Sequence, residues 1–405
     1  MPSSHKKTVF IDVIGCEKRK LDGQRLLSYF NQNHYHTTTA INAAEVCVLV
    51  TCGFRESYQD ISLKKFQKII RYANDHARLI VAGCYGIIAP EKFREIMTAS
   101  HRNPTDLIFL SPTNLAQIDT ILGEHCQISF NTIPDPNLTV FDQKKTRHSE
   151  FYSSPAHLEY QRAKQHYKLR INEGCLGHCS YCVVRLATGP LVSKSLTQIR
   201  TEFEQGLLQG YKIFFLTGGD TGAYGQDLRE NINIVTLLSQ LFQYSDQFTL
   251  YFHDFGIQWL IRYQTDLISL LKANSSRLGC INLPIQSGSD RILHLMNREY
   301  SHAEVVKVLT QVKREIPSLK IGTHVIVGFP GETEIDFQQT VALIREVSFD
   351  FIIPFQYTDD QNAPSYLLPN KIDICIKKER FTHILTEFHI NTSNRLNEGG
   401  GATEK

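Results

Sequence analysis

Hydrophobic and polar positions alternate between strand-like and helix-like spacing over residues 8–145. Short apolar runs predict strands at residues 8–15, 45–51, 78–83 and 106–111, and amphipathic stretches predict helices at 21–32, 61–76, 90–99 and 114–122. Strands that alternate with helices in this way are typical of a parallel sheet with helices packed on its faces. We therefore predict an α/β fold whose first domain, residues 1–145, is an open parallel sheet.

The alternation resumes at residue 167 with longer spacing. Apolar runs predict six more strands at 167–174, 211–219, 248–256, 280–288, 319–328 and 349–358, with helical patterns between them, for example at 196–209 and 334–347. Six βα units are too few for a complete eight-stranded barrel, so residues 167–370 predict a partial (βα)6 TIM-like barrel whose active face lies at the carboxyl ends of the strands. Residues 146–166 predict a linker, and residues 371–405 predict a short helical tail with a disordered end.

The composition is that of an ordinary globular protein, with 42% hydrophobic and 21% charged residues and a net charge of +2. This charge neither demands nor excludes nucleic acid, because a basic groove can hide within it. The first residues lack the features of a signal peptide, and no apolar run approaches the roughly 18–20 residues of a membrane span. We expect a cytoplasmic protein without a membrane role.

Ten cysteines without a secretion signal favour metal binding or redox chemistry over a disulfide framework. Cys175, Cys179 and Cys182 form a C-x3-C-x2-C loop directly after the first predicted barrel strand. Sulfur ligands select zinc, copper(I) or iron–sulfur clusters. Zinc needs a fourth ligand, for which the adjacent His178 is awkwardly spaced, whereas a [4Fe–4S] cluster held by three thiolates keeps an open iron that a substrate can chelate.

Three other cysteines share a position relative to the predicted strands. Cys16, Cys52 and Cys84 each follow one strand of the first domain, and such strand ends lie along one edge of a parallel sheet. Glycine precedes Cys16 and Cys84, which allows the backbone to approach a ligand closely. The pattern fits a second three-thiolate cluster or three unrelated loop cysteines. The remaining cysteines are predicted to be ordinary residues: Cys47, Cys126, Cys280 and Cys375.

Several motifs together resemble one enzyme family. The C-x3-C-x2-C loop, "LTGGD", "LPIQSGSDRIL" and "VIVGFPGET", preceded by "GC", "TC" and "GC", closely resemble the methylthiotransferase branch of radical S-adenosylmethionine (SAM) enzymes over about residues 8–365. The resemblance implies two [4Fe–4S] clusters and SAM. Cys175, Cys179 and Cys182 would hold the SAM-binding cluster, and Cys16, Cys52 and Cys84 an auxiliary cluster that carries the sulfur.

The resemblance also implies a SAM pocket and a reaction. The implied pocket residues are Tyr181, Gly218, Gly219, Asp220, Gln286, Ser287 and Gly328, with Asp220 at the SAM amine and Tyr181 beside the adenine. The implied reaction converts an unactivated C–H bond into C–S–CH3. It requires an electron donor such as flavodoxin or ferredoxin, and a sulfur source. His253 and Asp254, at the end of the third barrel strand, are candidates for orienting the substrate or moving a proton.

The sequence departs from the family pattern in places. Arg19 stands at a family asparagine position, and Val50 replaces an asparagine before "TC". The family usually ends in a TRAM β-barrel that grips tRNA or a ribosomal protein, whereas only 35 residues follow residue 370 here. We therefore expect a variant that lacks TRAM and acts on a small molecule or peptide, with nucleic acid possible but not favoured.

Other functions stay open on the sequence alone. One is methylthiolation of a tRNA adenosine or a protein side chain with a partner that replaces TRAM. Another is radical sulfur insertion without methylation. Outside the enzyme class, the cysteines also fit a non-enzymatic metal-binding protein.

Overall fold

The computed structural model of the protein describes residues 7–123, 126–137, 141, 166–229 and 231–390. The chain divides into two compact units. The first comprises residues 1–144, 172–176 and 182–192, and the second comprises 145–171, 177–181 and 193–405. The predicted linker, except for its last residue, and the predicted disordered end lie outside the described residues.

The first unit contains a five-stranded parallel sheet with the strand order β2-β1-β3-β4-β5. Its strands are β1 (Thr8–Val13), β2 (His36–Thr37), β3 (Val46–Thr51), β4 (Arg78–Gly83) and β5 (Ile108–Leu110). The four predicted strands are confirmed. The two-residue β2 was not predicted, because two exposed residues carry no apolar pattern.

The helices of the first unit cover the sheet. They span Glu17–Gln32, Glu56–Tyr72, Cys84–Ile88, Pro90–Ala99, Ile118–Leu122 and Val184–Thr188. The first two begin four or five residues before the predicted starts, because their first turns are polar and begin with an acidic residue that suits a helix N-terminus. Valines of β3 pack with Leu26, Tyr29 and Phe30 of the first helix. Burial of these apolar side chains stabilises the packing of the helix against the sheet whose strand ends carry the cysteines.

The second unit contains a six-stranded parallel sheet whose strands follow one another in chain order. These strands are β6 (His166–Arg170), β9 (Ile213–Thr217), β10 (Thr249–Phe252), β11 (Leu278–Gln286), β12 (Lys320–Val327) and β13 (Phe351–Gln356). The short strands β7 (Asn172–Glu173) and β8 (Val192–Ser193) fall between β6 and β9 in sequence. All six predicted barrel strands are confirmed, and their sequential order is that of an incomplete βα barrel.

Helices follow the strands of the second unit. They span Leu196–Leu208, Ile234–Leu241, Ile257–Arg262, Gln264–Ala273, Asp290–Leu295, His302–Glu315, Glu334–Val347 and Ile374–Glu387. Capping boxes at Ser301 and Thr333 define where two of them begin. The last helix confirms the predicted helical tail. In the described part of the chain, no helix combines the length and the apolar character needed to cross a membrane.

The two faces of the six-stranded sheet differ in chemistry. On one face Val325, Val327 and Ile352 pack with apolar residues of the helices Glu334–Val347 and Ile374–Glu387. Because side chains alternate along a strand, the next residues point to the opposite face. There Phe215 stacks on Tyr251 at 4.8 Å between ring centroids. The same face carries a buried cluster in which Tyr251 and Phe355 pack against Cys280, Phe351 and Ile353, so it is largely aromatic.

Candidate cluster and SAM sites

The three dispersed cysteines lie at the carboxyl ends of neighbouring strands. Cys52 directly follows β3 and Cys84 directly follows β4, and the preceding residues Thr51 and Gly83 pair in the sheet. Cys16 follows β1 by three residues and is the N-cap of the helix Glu17–Gln32. Since β1, β3 and β4 are adjacent, the structure brings these cysteines to one edge of the sheet.

The three thiols interact with one another. A hydrogen bond from the Cys52 thiol lowers the pKa of Cys16 to about 5, with help from the positive charges of Lys18 and Arg19. The same hydrogen bond, together with burial, raises the pKa of Cys52 well above its ordinary value. Burial also raises the pKa of Cys84 to about 12. Metal binding at this edge would therefore release protons from at least two thiols.

Two glycines allow the loops that carry Cys16, Cys52 and Cys84 to pack close to one another. Gly15 has a φ of +131°, and a Cβ there would lie 2.5 Å from the Cβ of Cys52. Gly83 has a φ of +90°, and its Cβ would lie 2.4 Å from the carbonyl oxygen of Thr51. No other residue type fits either position without displacing the backbone or a cysteine. These contacts explain the glycines before Cys16 and Cys84, and the expectation that the backbone wraps closely around a cluster here stays a prediction.

A buried ion-pair group borders the same cysteines. The Arg19 side chain is 1% exposed, with Nη1 3.0 Å from Oδ2 of Asp22 and Nη2 2.9 Å from Oε1 of Glu173. The guanidinium also interacts electrostatically with Cys16 and Cys84. Sequence reasoning noticed Arg19 only as a departure from the family and missed Glu173, which lies 154 residues away in sequence.

The C-x3-C-x2-C loop contributes residues to both units. Cys175 and Cys182 belong to the first unit. Before Cys175, Gly174 has a φ of +73°, and a Cβ there would lie 1.9 Å from the carbonyl oxygen of Pro190. Nε of Arg185 donates a hydrogen bond to the Cys175 carbonyl oxygen. The chain therefore turns sharply before Cys175 and is held there by the helix Val184–Thr188.

Within the second unit, Cys179 contacts a half-buried arginine. Nη1 of Arg298 lies 3.2 Å from Sγ of Cys179, and Nη2 donates to the Pro284 carbonyl oxygen. Nε of Arg298 donates to the Tyr300 hydroxyl, which in turn donates to the Ile285 carbonyl oxygen. Arg298 thus places a fixed positive charge beside one cysteine of the loop. Sequence reasoning missed it, because nothing in the pattern around residue 298 indicates this contact.

Asp220, predicted at the SAM amine, is already bonded extensively within the chain. Its Oδ1 accepts hydrogen bonds from the backbone N–H groups of Gly222 and Gly256, and its Oδ2 accepts from the side chains of Gln258 and Trp259. Burial raises the pKa of Asp220, although these hydrogen bonds act in the opposite direction. The carboxylate therefore shapes the loop after β9, which also contains the predicted Gly218 and Gly219.

Several buried polar atoms lack a partner within the described part of the chain. They lie at or after the strands of the six-stranded sheet and are Thr217 Oγ1, Gln258 Oε1, Asn282 Oδ1 and Gln286 Oε1. Buried polar groups are normally hydrogen-bonded, so such oxygens indicate a missing donor. SAM carries suitable donors in its ammonium, ribose hydroxyl and adenine amino groups. The predicted Gln286 is among these oxygens, and the set fits a SAM site.

Other predicted pocket residues have structural contacts. Ser287 is fully buried, and its hydroxyl lies 3.2 Å from that of Thr340 on the helix Glu334–Val347. The Gly328 N–H donates to Oε2 of Glu332 at 2.6 Å. Tyr181 packs against an apolar cluster that includes Met296. Their predicted SAM contacts stay predictions.

The ten cysteines are free thiols. Cys47 and Cys280 are buried within strands, Cys126 is partly buried and Cys375 is exposed, as expected of ordinary residues. Among the described residues, no three His, Cys, Asp or Glu side chains are arranged around a single metal ion. A [4Fe–4S] cluster instead distributes its cysteines over separate iron atoms.

Two family models match the chain. The radical SAM superfamily matches residues 169–344, and the uncharacterized protein family UPF0004 matches residues 8–102. The ribosomal protein uS12 methylthiotransferase RimO of Pelobacter propionicus is 29% identical over 398 residues, which is 95% of this chain and 82% of that protein. The RimO of Clostridioides difficile is 29% identical over 388 residues, 92% of this chain and 80% of that protein. The chain is similar over nearly its whole length to radical SAM methylthiotransferases.

Solved structures support the fold of this methylthiotransferase. The radical SAM methyltransferase TsrM of Kitasatospora setae superposes with a TM-score of 0.58 at 12% identity, covering 87% of this chain and 75% of that one. The cobalamin-dependent radical SAM enzyme OxsB gives a TM-score of 0.56 at 12% identity, covering 98% and 63%. At these identities the likeness concerns the fold alone. The matches support an enzyme that uses SAM and [4Fe–4S] clusters.

Proposed function

We propose that this methylthiotransferase modifies a protein side chain and that its substrate is ribosomal protein uS12. The observation that supports this proposal is that relatives named for that substrate align with 95% of the chain and about four fifths of their own length. This proposal replaces the expectation of a small-molecule substrate, which rested only on the length of sequence after residue 370. The protein side chain was the alternative that the sequence left open.

Two sets of cysteines have distinct roles in this proposal. Cys175, Cys179 and Cys182 hold the cluster that binds SAM, and Cys16, Cys52 and Cys84 hold an auxiliary cluster. When bound, the clusters and SAM supply the radical and sulfur chemistry that replaces a hydrogen on carbon by a methylthio group. The protein supplies binding, orientation and charge compensation, and the following groups are suited to these tasks.

Arginines compensate charge at both sets of cysteines. Arg298 donates to Sγ of Cys179 and is itself held by the Pro284 carbonyl oxygen and the Tyr300 hydroxyl. Such a fixed donor orients a thiolate and offsets its negative charge. Arg19 borders Cys16 and Cys84 in the first unit. Gln286 offers its buried Oε1 to a hydroxyl or ammonium group of SAM.

The face of the six-stranded sheet that carries Phe215 and Tyr251 is the proposed substrate-binding surface. Nδ2 of Asn282 lies 2.9 Å from Nε2 of His324. Phe355 packs edge-on against this ring, with 5.4 Å between centroids. The Asn282 amide oxygen, buried and without a donor in the described chain, is available to a polar group of either SAM or the substrate.

A direct test presents several substrates to the reconstituted enzyme. The enzyme is incubated anaerobically with SAM, a sulfide source and dithionite, together with purified uS12, with bulk tRNA or with neither. We expect mass spectrometry to detect one added methylthio group on a uS12 peptide and on no tRNA nucleoside. Modified tRNA with unmodified uS12 would overturn the substrate proposal. Added sulfur without a methyl group would instead support sulfur insertion.

The control for this experiment is the Cys175→Ala variant, which lacks one proposed ligand of the SAM-binding cluster. It should bind uS12 but neither cleave SAM nor modify the protein. Flavodoxin and ferredoxin can replace dithionite in the same assay, and the one that supports turnover identifies the class of electron donor.

A further inference from the structure

Arg19, Asp22 and Glu173 form a buried charged group in the first unit. The side chains of Arg19 and Asp22 are each 1% exposed, and that of Glu173 is 11% exposed. One positive charge faces two negative charges, so the group carries a net charge of −1 when fully ionised. Burying such charges is costly, and replacing them by apolar residues is often neutral or favourable for stability. Stability alone therefore gives a weak reason for this group to be here.

The position of Arg19 relative to the cysteines suggests another reason. Arg19 lies one turn after Cys16 on the same helix, and its backbone N–H donates a hydrogen bond to the Cys16 sulfur. Its charge interacts with Cys16 and with Cys84. Nη1 lies 3.0 Å from Asp22 and Nη2 donates to Glu173, but neither the buried Nε nor Nη1 makes a hydrogen bond among the described residues. A buried, charged donor without an acceptor indicates a missing ligand atom.

We propose that Arg19 is a positioning residue of the auxiliary centre, where its fixed charge stabilises the reduced cluster and its Nε–H donates to a cluster sulfur. This inference rests on the proposed auxiliary cluster at Cys16, Cys52 and Cys84. One-electron reduction by dithionite adds one negative charge to the cluster. Net charge and hydrogen bonds to sulfur are the means by which a protein sets the reduction potential of such clusters. Asp22 holds the guanidinium in place and opposes its charge.

The test measures the reduction potential of the auxiliary cluster alone. The three cysteines of the C-x3-C-x2-C loop are replaced by Ala, so that EPR-monitored redox titration reports only one cluster. In this background Arg19→Gln should make reduction at least tenfold less favourable, which is about 59 mV for a one-electron couple. Asp22→Asn should shift the potential in the opposite direction, and Arg19→Lys should remain closer to the parent. A merely structural role does not produce shifts of opposite sign.

The control is Lys65→Gln, which removes a charge from a pair with Asp12 in the same unit. Lys65 is 36% exposed, so solvent and salt screen its charge and the potential should not change. Equal potentials in Arg19→Gln, Asp22→Asn and the parent, at equal iron content, would overturn the role of Arg19. If Arg19→Gln fails to bind iron, the Asp22→Asn variant decides alone. Absence of any cluster in the parent would instead overturn the auxiliary cluster itself.

Discussion

At the residue scale, glycine explains how cysteines can meet at these sites. Gly15, Gly83 and Gly174 each precede a proposed ligand, and all three have φ between +73° and +131°. Cys52 is preceded by Thr51 instead of a glycine. The Cβ of Cys52 fits because Gly15, which lies against it, has no side chain. A glycine is therefore required by the backbone geometry before Cys16, Cys84 and Cys175. Because that requirement falls on neighbouring residues, it leaves the local pattern Gly-Cys, which can be recognised in the sequence.

Replacing Gly15 by Ala should destabilise the first unit. The added Cβ would lie 2.5 Å from that of Cys52 and would sit on a backbone with φ of +131°. Overpacking of this kind costs about 1–3 kcal/mol, in addition to backbone strain. Urea unfolding of the cluster-free protein, followed by circular dichroism, measures the loss. Iron content after reconstitution should fall as well.

Gly123→Ala is the matched control for this substitution. Gly123 also has a positive φ, +58°, but apart from its chain neighbours no heavy atom of the described residues lies within 4 Å of the position that an added Cβ would take. It should cost only the strain of a backbone conformation that favours glycine, about 1–3 kcal/mol, without the added overpacking. Equal losses in Gly15→Ala and Gly123→Ala would show that contact with Cys52 does not matter.

At the element scale, the last helix is tied to the loop after β12. Ile384 of the helix Ile374–Glu387 packs into the core between that helix and the sheet. The buried Arg380 lies 2.7 Å from Oε2 of Glu332, and the same oxygen accepts from the Gly328 N–H. The tail helix therefore supports the "GFPGET" loop, a predicted part of the SAM site. The sequence predicted the helix but not this contact.

Glu332 should make the stability of the second unit depend on pH. Burial raises the pKa of Glu332 from the ordinary 4.5 to about 7. Between these values the unfolded state binds fewer protons than the folded state, so the free energy of unfolding falls as the pH rises. Relative to Glu332→Gln, the wild type should lose on the order of 3 kcal/mol between pH 4.5 and 7.5. Urea unfolding across this range measures the difference.

Glu334→Gln is the control for that pH dependence. Glu334 also lies near Arg380, at 3.4 Å, but its side chain is 66% exposed. Its removal should leave the pH profile of the wild type unchanged. A Glu332→Gln profile that runs parallel to the wild type would contradict the assignment of the titration to Glu332.

At the scale of the whole molecule, the periodicity of apolar residues predicted the two sheets, but it did not predict the charged contacts. The long strands were predictable because each is an apolar run bounded by turns, and adjacent parallel strands place their ends together. Arg19–Glu173 and Arg298–Cys179 join residues 154 and 119 positions apart, and no local pattern carries that information. Ser287 was placed at the SAM site by its motif, whereas packing directs its hydroxyl toward Thr340.

The two sets of cysteines are proposed to serve SAM cleavage and sulfur transfer separately, and this separation can be tested on the whole enzyme. Two [4Fe–4S] clusters correspond to about eight irons per chain after anaerobic reconstitution. Replacing Cys16, Cys52 and Cys84 by Ala should leave about four irons and reductive SAM cleavage, because the other cluster is intact, while transfer of the methylthio group stops. Replacing Cys175, Cys179 and Cys182 should also leave about four irons but abolish cleavage.

Iron analysis, 5′-deoxyadenosine quantification and product mass separate these outcomes. Product from the first variant would refute the auxiliary assignment, and zinc at one ion per chain in the wild type would refute both.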